Sequence, residues 1–406
     1  MALTAFLSAY LAGLYANTWT DRAAIARRQD RLWRRLPLGD YPALRGWAKQ
    51  PLARFPIVDV ADYRAQFQAY NRYGLSLEAA TAAALASEAG RPSRLPYGLS
   101  AGLSTGTTSA TRGLFVTTAE ERATYIGTVL AKLVPPAEWS KTKRVALCLR
   151  AGNVLYNADL AGMRLRFFPL APDHDATIQA LREDRPDVLV APPQVLLSLA
   201  TKAPDFRCPR VYYGAETLND VERDFITERL GVRPDPIYQA TEGFLGAPCR
   251  LGTLHLNEDS LIIEREPLDS HGRFRPVITD LRRQTQAVVR LRLDDVLQET
   301  TCACGSPLQA VKPLMGRVSD IWRLEDRVVF PDEIQDVVAP LLPGDMRWIA
   351  MIDKLGISIA CPDDKAAARI LKALAGFGRP VKRVPYDPAA DFPKRRHVRA
   401  VAETRS

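Results

Sequence analysis

Between residues 143 and 230 the sequence alternates short β-rich runs with helical stretches, and this alternation constrains the fold more than any other feature. The β-rich runs are RVALCLR, RLRFFPL, DVLVA and VYY, and the helical stretches are residues 175–185, 194–202 and 219–230. Such alternation predicts a parallel sheet covered by helices on both faces, with ligands bound beyond the carboxyl ends of its strands. Gly214, Ala215 and Glu216 directly follow the VYY strand, so we expect them to border a ligand site.

The regions on either side have different sequence patterns. Residues 1–95 are mainly helical in pattern, and residues 252–297 contain the strand-like pieces LIIERE, RPVITDL and AVVRLRL. After Gly316 the pattern changes to a compact α+β unit with a clean amphipathic helix at residues 364–375. Since 406 residues are many for one core, we predict two domains. These are a large N-terminal α/β domain (1–316) with parallel sheets flanked by helices, and a small mobile α+β C-terminal domain (317–406).

Composition excludes several functional classes. The net charge is +9, but the basic residues are scattered and form no run with interleaved aromatic residues, which argues against nucleic-acid binding. Six cysteines in a chain of this length do not indicate a disulfide framework. The apolar run from Leu3 to Leu14 is too short to span a bilayer and lacks a preceding basic region. We therefore expect a cytoplasmic protein that does not bind membranes.

A loop rich in serine, threonine and glycine is the most specific chemical motif. Ser104, Thr105, Thr107 and Thr108 surround Gly106, and Arg112 adds a positive charge nearby. Glycine allows backbone N–H groups to turn inward, and hydroxyls donate to phosphate oxygens. The loop is not a Walker motif, because no Gly-Lys-Ser/Thr follows it. Taken alone, the segment is also compatible with a flexible polar turn.

Three later motifs contain further candidate nucleotide ligands. Tyr238 opens the segment YQATEG, in which Thr241 is suited to contact an α-phosphate and Glu242 to hold Mg²⁺. Asp295 follows the strand-like RLRL, where a carboxylate is suited to bind ribose hydroxyls. Arg317 follows Gly316 at the point where the sequence pattern changes. A glycine followed by polar residues is typical of a hinge. Each motif alone is weak, because helix starts, acidic turns and linkers have similar sequences.

The order and spacing of these motifs resemble those of the acyl-adenylate-forming superfamily of acyl-CoA synthetases, adenylation domains and luciferases. The resemblance extends from about residue 55 to about residue 330. It is strongest to the phenylacetate–CoA ligase-like branch, which includes the deazaflavin-adenylating synthetases and a group described only as probable adenylate-forming enzymes. The segments that favour this branch are Gly-Ala-Glu at 214–216, YQATEG at 238–243, Thr-Asp-Leu at 279–281 and CACG at 302–305.

The resemblance implies a role for each motif. Thr105 to Thr108, with Ser104 and Gly106, would bind the β,γ-phosphates of ATP, and Arg112 would stand where the family usually has lysine. Gly214, Ala215 and Glu216 would border the adenine, and Tyr238 would stack on it. Thr241 would contact the α-phosphate, Glu242 would hold Mg²⁺, and Asp295 and Arg317 would bind the ribose. Lys394 would be the mobile lysine that stabilises charge as pyrophosphate leaves.

Four soft ligands in one region predict a metal site. Cys302 and Cys304 form a knuckle-like Cys-x-Cys-Gly, and Cys249 and His255 precede them. A Cys₃His set suits a closed, tetrahedral Zn²⁺ site. Some members of the ligase branch have a structural zinc in this place. The alternative is that Cys249 is a small buried residue and that Cys-x-Cys is too tight for one ion.

The acyl pocket is predicted from aromatic and small residues near the nucleotide motifs. The candidates are Asn153, Tyr156, Tyr213, Ala240 and Phe244. An aromatic wall suits a flat, aryl carboxylate, although most of these side chains would also serve to pack a core.

Three functions remain open from the sequence. The first is a ligase that activates a carboxylic acid as acyl-AMP and passes the acyl group to CoA or a carrier-protein thiol. The second is an adenylyltransferase that leaves AMP on a hydroxylated acceptor. The third is a nucleotide-binding protein without ligase activity. A small-molecule acid, ATP and Mg²⁺ are the expected ligands of the ligase, and the sequence is compatible with a monomer or a homodimer.

Overall fold

The computed structural model describes residues 2–91, 95–104, 112–149, 158–160, 162–170, 174–313, 315–388 and 395–401. The helices in these ranges are α1 (Ala2–Ala16), α2 (Arg22–Trp33), α3 (Val60–Ala65), α4 (Leu77–Glu88), α5 (Ala119–Leu133), α6 (Asp175–Asp184), α7 (Pro193–Lys202), α8 (Asp220–Leu230), α9 (Pro331–Val338) and α10 (Asp364–Leu374). No helix of the described ranges combines the length and the apolar character needed to cross a membrane.

The strands form several sheets. In chain order they are β1 (Val58–Asp59), β2 (Ser100–Leu103), β3 (Leu114–Thr117), β4 (Arg144–Leu149), β5 (Ala158–Leu160), β6 (Met163–Pro169), β7 (Val188–Ala191), β8 (Arg210–Tyr213), β9 (Asp235–Pro236), β10 (Tyr238–Ala240), β11 (Gly243–Pro248), β12 (Leu254–Leu256), β13 (Leu261–Pro267), β14 (Arg273–Asp280), β15 (Leu291–Arg292), β16 (Leu297–Gln298), β17 (Ala310–Val311), β18 (Trp322–Arg323), β19 (Val328–Val329), β20 (Ile349–Asp353), β21 (Gly356–Ala360), β22 (Val381–Val384) and β23 (Val398–Ala400).

The alternating region forms the expected covered sheet. Its strand order is β5-β6-β4-β7-β8-β9, and all pairs are parallel except β5 with β6. Successive residues of β4 point to opposite faces, so Val145 packs with Phe6 of α1 and Ile126 of α5, whereas Ala146 packs with residues of α6 and α7. The carboxyl ends of β7 and β8 therefore meet at one edge, where Gly214 begins.

The remaining sheets are mainly antiparallel, so the fold is α/β with mixed sheets flanked by helices. One has the order β1-β15-β14-β13 with β16 on β14, and another has the order β10-β11-β12-β17. The predicted strand AVVRLRL is shorter than expected, since only Leu291–Arg292 is a strand. Arg290 has a φ of 47°. A non-glycine residue in the left-handed region interrupts an extended run.

Residues 322–401, which we call the C-terminal unit, have a hydrophobic core of their own. Trp322, Trp348 and Ile370 are fully buried in it. Its sheet has the order β22-β21-β20-β23, and α9 and α10 pack against it. Asp363 caps α10 by accepting a hydrogen bond from the Ala366 amide. The domain boundary at residue 316 stays a prediction.

Candidate active site

A cavity of about 750 Å³ lies between the C-terminal unit and the rest of the chain. Residues from four of the nucleotide motifs line it, and so do the two ends of the fifth, the Ser/Thr/Gly loop. They are Ser104, Gly113, Gly214, Ala215, Glu216, Tyr238, Thr241, Glu242, Asp295 and Arg317. Tyr213, Ala240 and Phe244 of the predicted acyl pocket line the same cavity. Segments separated by more than a hundred residues therefore meet at one site.

Some predicted site residues lie outside the described residues. They are Thr105, Gly106, Thr107, Thr108, Asn153, Tyr156 and Lys394.

The base of the Ser/Thr/Gly loop is a β-hairpin of β2 and β3. The amide of Ser104 donates to the Gly113 carbonyl at 2.7 Å, and the amide of Gly113 donates to Ser104 Oγ at 2.8 Å. A Cβ atom at Gly113 would lie 2.4 Å from Oγ1 of Thr241. Only glycine permits this approach, so the hairpin and the YQATEG segment are packed directly against each other.

Arg112 occupies a different position from the one that the sequence suggests. Its guanidinium forms a two-contact ion pair with Glu88 of α4, and its Nε donates to the Ser104 carbonyl at 2.5 Å. It is buried, and it is absent from the described residues that line the cavity. The expectation that Arg112 contacts phosphate finds no support in this geometry, because the charge is already paired and braces the hairpin.

The Gly-Ala-Glu segment lies at the carboxyl edge of the parallel sheet, directly after β8. Ala215 has a φ of 70°, which turns the chain sharply at the cavity wall. Glu216 is buried, and its Oε1 accepts a hydrogen bond from Gln194 Nε2 at 2.8 Å. Gln194 belongs to the first turn of α7. This partner was not predicted, because Gln194 lies 22 residues away in another element.

Tyr238 and Asp295 are joined at the cavity wall. The Tyr238 hydroxyl donates to Asp295 Oδ2 at 2.7 Å. Burial and the neighbouring Asp295 carboxylate raise the pKa of Tyr238, so the phenol stays protonated and donates. Asp295 also pairs with Arg317 in an isolated antiparallel bridge. The two residues predicted to bind ribose are thus adjacent to the ring predicted to stack on adenine.

Arg283, which was not predicted as a site residue, contacts the backbone of the Thr241–Glu242 turn. Its Nη1 lies 3.3 Å from the carbonyl oxygens of both Thr241 and Glu242. Asp280 fixes this arginine's backbone, because its Oδ1 accepts from the amides of Arg282 and Arg283 at 2.7 and 3.1 Å. The sequence signal that could have identified Arg283 is Thr-Asp-Leu-Arg-Arg, in which two arginines follow the end of a strand.

A buried charge network joins the C-terminal unit to α8 beside the cavity. Glu222 accepts from Arg395 Nη1 at 2.6 Å and from His397 Nε2 at 3.0 Å. His397 Nδ1 pairs with the Trp348 carbonyl at 2.8 Å, and its ring stacks on the Trp348 indole. Burial disfavours the charged form of Glu222, but Arg395 and His397 outweigh it and lower its pKa to about 2. The network was not predicted, because its members are far apart in sequence.

A second set of contacts holds residues 318–320, which follow the predicted hinge at Gly316. Arg396 forms a two-contact ion pair with Asp320, and Ser319 Oγ donates to Asp294 Oδ2 at 2.6 Å. The short helix Val318–Asp320 is therefore bonded on one side to the large N-terminal region and on the other to the segment that follows Lys394. Arg395, Arg396 and His397 all line the cavity.

The four predicted metal ligands come together away from the cavity. The ligand atoms of Cys249, His255, Cys302 and Cys304 all lie within 4.8 Å of one another. Sγ of Cys249 is 3.6 Å from Sγ of Cys302, and Sγ of Cys304 is 3.5 Å from Nε2 of His255. None of the four belongs to the described lining of the cavity.

The surroundings of this Cys/His cluster suit a cation. His255 Nδ1 lies 2.7 Å from the Leu308 carbonyl, so this nitrogen carries the proton and Nε2 presents its lone pair to the thiols. The amides of Leu251 and Ser306 each donate to a cysteine sulfur at 3.4 Å. Burial opposes ionisation, but hydrogen bonds from Thr253 and from the Cys304 backbone lower the pKa of Cys302 to about 6. A thiolate is the form that binds metal.

Solved structures with the same fold were found. This chain matches 2-hydroxyisobutyryl-CoA ligase in the postadenylation state with a TM-score of 0.63 and 16% identity, over 95% of this chain and 90% of that chain. An acyl acid amido synthetase in complex with 2,4-DB matches with a TM-score of 0.57 and 13% identity, over 99% and 94%. The chain has the fold of the adenylate-forming enzymes. No protein-family model and no curated protein matches its sequence.

The same ligase with 2-HIB-AMP and CoA in its thioesterification state matches with a TM-score of 0.51 and 18% identity, over 94% of this chain and 89% of that chain.

Proposed function

We propose that this chain is an ATP-dependent, adenylate-forming ligase that activates a carboxylic acid as acyl-AMP and then transfers the acyl group to the thiol of CoA. The observation that supports this most strongly is the convergence of the described nucleotide motifs on one cavity. The relatives in fold include a CoA ligase in complex with 2-HIB-AMP and an anthranilate–CoA ligase in complex with anthranoyl-AMP. A carrier-protein thiol is the alternative acceptor.

In the proposed reaction an oxygen of the substrate carboxylate attacks the α-phosphorus of ATP, and pyrophosphate leaves. Asp295 and Arg317 bind the ribose, Tyr238 lies against the adenine, and Thr241 donates to the α-phosphate. Mg²⁺ held by Glu242 would neutralise phosphate charge. No nucleophilic side chain is required, since the carboxylate is the nucleophile. Arg112 braces the Ser/Thr/Gly loop, whose hydroxyls and amides bind the β,γ-phosphates.

The function is tested by measuring pyrophosphate release over a panel of aliphatic and aromatic carboxylic acids, with and without CoA. We expect release that depends on both ATP and an acid, and a thioester product when CoA is added. Glu242→Gln should lower the rate by about 100-fold, because charge stabilisation at the phosphates is lost. Pyrophosphate release that needs a hydroxylated acceptor and no acid would instead identify an adenylyltransferase, and no release at all would contradict the proposal.

We further propose that the Cys/His cluster holds a structural Zn²⁺ ion, as in some phenylacetate–CoA ligase-like enzymes, and that the chain belongs to that branch. Ligands 2.3 Å from a tetrahedral zinc lie about 3.8 Å apart, close to the observed sulfur–sulfur spacing of 3.6 Å. The ion would tie the turn after β11 to the Cys-x-Cys knuckle and take no part in catalysis.

Metal analysis of protein purified without a histidine tag should find about one equivalent of zinc. Cys304→Ser should lower this content and also lower the melting temperature, because the remaining ligands cannot close the site. Cys361→Ala removes a buried thiol from the C-terminal unit and serves as the matched control. Metal-free wild-type protein, or equal zinc in both variants, would refute the site.

A further inference from the structure

An arginine in the wall of the cavity is not accounted for by the nucleotide. Arg122 lies in the first turn of α5 and is half-buried. Within the described part of the chain its guanidinium forms no ion pair, and its side-chain hydrogen bond goes to the Thr117 carbonyl at 3.4 Å. A partly desolvated guanidinium without an ion-pair partner among the described residues suits an anion, so its place in the cavity wall points to an anion that comes with a ligand.

The neighbouring carboxylate cannot supply that partner. Glu121 accepts from the amides of Gln284 and Thr285 at 2.7 and 2.8 Å through one oxygen. Its other oxygen accepts from the Thr118 amide at 2.9 Å and from the Thr285 hydroxyl. Glu121 is thus fully occupied in joining α5 to the loop after β14. Desolvation lowers the pKa of Arg122, and Glu121 offsets this only in part.

Arg122 belongs to one polar face of α5 that lines the cavity. Arg122, Tyr125 and Thr128 all line the cavity, and their spacing of three residues makes each one a neighbour of the next on the helix surface. Tyr125 packs edge-on against Phe244 at 6.5 Å, so this face adjoins the YQATEG segment and β11. The wall therefore belongs to the part of the cavity that Phe244 of the predicted acyl pocket lines.

A second arginine reaches the same face. Arg282 Nη1 donates to the Thr128 hydroxyl, and Thr128 in turn donates to the Thr124 carbonyl at 2.8 Å. The Nη2 of Arg282 is buried and has no hydrogen-bond partner among the described residues. Thr128 is six residues from Arg122, or about 9 Å along the helix. Two cationic groups therefore flank this stretch of wall.

The phosphates of ATP are poorly placed to be the missing anion. Arg122 follows Thr117, which ends β3, whereas the Ser/Thr/Gly loop joins β3 at its other end next to Gly113. Thr117 is four residues after Gly113, or about 13 Å along an extended strand. The end of the Ser/Thr/Gly loop at Gly113 and the carbonyl of Thr117 that Arg122 contacts thus lie at opposite ends of one strand.

We propose that Arg122, supported by Arg282, binds a second anionic group on the acid, so that the preferred substrate is a dicarboxylic acid. This inference rests on the proposed function. One carboxylate of the substrate attacks ATP, and the other forms a charge-assisted hydrogen bond with Arg122. The arginine acts on specificity, since it contacts the end of the substrate that does not react.

The test compares dicarboxylic acids of increasing chain length, aliphatic and aromatic, with the monomethyl ester of each. The ester removes one charge and adds only one methyl group. Wild-type enzyme should have a kcat/KM for the best diacid about 10- to 100-fold higher than for its ester. Arg122→Met should abolish most of this ratio, and Arg122→Lys should restore part of it. Arg54→Met, which removes an exposed arginine outside the cavity lining, should leave the ratio unchanged.

Each other outcome overturns the inference in a recognisable way. Equal use of diacid and ester by the wild type would refute it while leaving the proposed ligase activity intact. A raised KM for ATP in Arg122→Met, by the same factor with every acid, would assign the arginine to the nucleotide. Pyrophosphate release from none of the acids would refute the proposed function and this inference with it. Melting temperatures of the variants identify any loss of fold.

Discussion

Lys394→Ala is expected to lower the rate of acid-dependent pyrophosphate release by about 100- to 1,000-fold, the effect of removing one group that stabilises charge in a transition state. ATP binding, measured by calorimetry, should stay nearly unchanged. The reason is that a mobile lysine acts on the developing charge of the leaving pyrophosphate and contributes little to binding the ground state. The three residues that follow it in the chain, Arg395, Arg396 and His397, line the cavity.

The control for this experiment is Lys382→Ala, which removes an exposed lysine from β22 of the same C-terminal unit. It should release pyrophosphate at the wild-type rate. Full activity in Lys394→Ala would refute the role of the lysine. A loss of ATP binding that matches the loss of rate would show that the lysine binds the nucleotide without selective effect on the transition state.

Glu222→Gln is expected to be the most damaging change outside the nucleotide motifs. Glu222 has side-chain contacts with Arg395 and His397, and its Oε2 also accepts from the Asn219 amide in the capping box of α8. Glutamine keeps an acceptor for the capping box but removes the charge that faces buried Arg395. Breaking a buried ion pair by removing one partner typically costs about 3–5 kcal/mol. We therefore expect the C-terminal unit to leave this position and adenylation to slow by about 10- to 100-fold.

Two measurements separate this effect from a loss of fold. Small-angle scattering should show a more open particle, while the melting temperature of the parallel-sheet region should change little. Glu228→Gln, on an exposed face of the same helix, is the matched control and should match the wild type in both. An unchanged adenylation rate in Glu222→Gln would show that the network is not needed to hold the C-terminal unit over the cavity.

The contact of Glu222 with Arg395 and His397 also determines how the stability of the docked C-terminal unit depends on pH. The pKa of Glu222 is lowered from 4.5 to about 2 when the C-terminal unit is docked. The docked arrangement therefore gains stability from ionised Glu222 above about pH 4.5 and loses it as the pH falls toward 2. At neutral pH the contribution is fully present.

Local hydrophobic patterns predicted the helices and strands of residues 143–230 well, because burial on one or both faces of an element sets its pattern of apolar residues. The runs that contain β4, β6, β7 and β8, and the helices between them, lie within one or two residues of their predicted bounds. The Cys/His cluster was also predictable, since Cys-x-Cys-Gly and a nearby histidine are rare outside metal sites. These features are set by short stretches of sequence and need little information about the rest of the chain.

Pairings between distant charged side chains were not predictable. The position of Arg112 after the Ser/Thr/Gly loop predicted a phosphate ligand, but in the structure Arg112 forms an ion pair with Glu88 of α4. Glu222 and Arg395 are 173 residues apart, and nothing in either local sequence marks the pair. Arg122 was not singled out from the sequence. Only the tertiary arrangement shows which charges are paired and which face a cavity.

The central claim, that a substrate carboxylate attacks the α-phosphorus of ATP, is tested most directly with a carboxylic acid labelled with ¹⁸O in its carboxylate. After turnover with ATP and CoA, the AMP is isolated and its mass is measured. The account predicts one ¹⁸O atom in the AMP, because the oxygen that bridges carbon and phosphorus in acyl-AMP stays with the phosphate when the thiol displaces it. AMP without label, or release of ADP and phosphate instead of AMP and pyrophosphate, would contradict it.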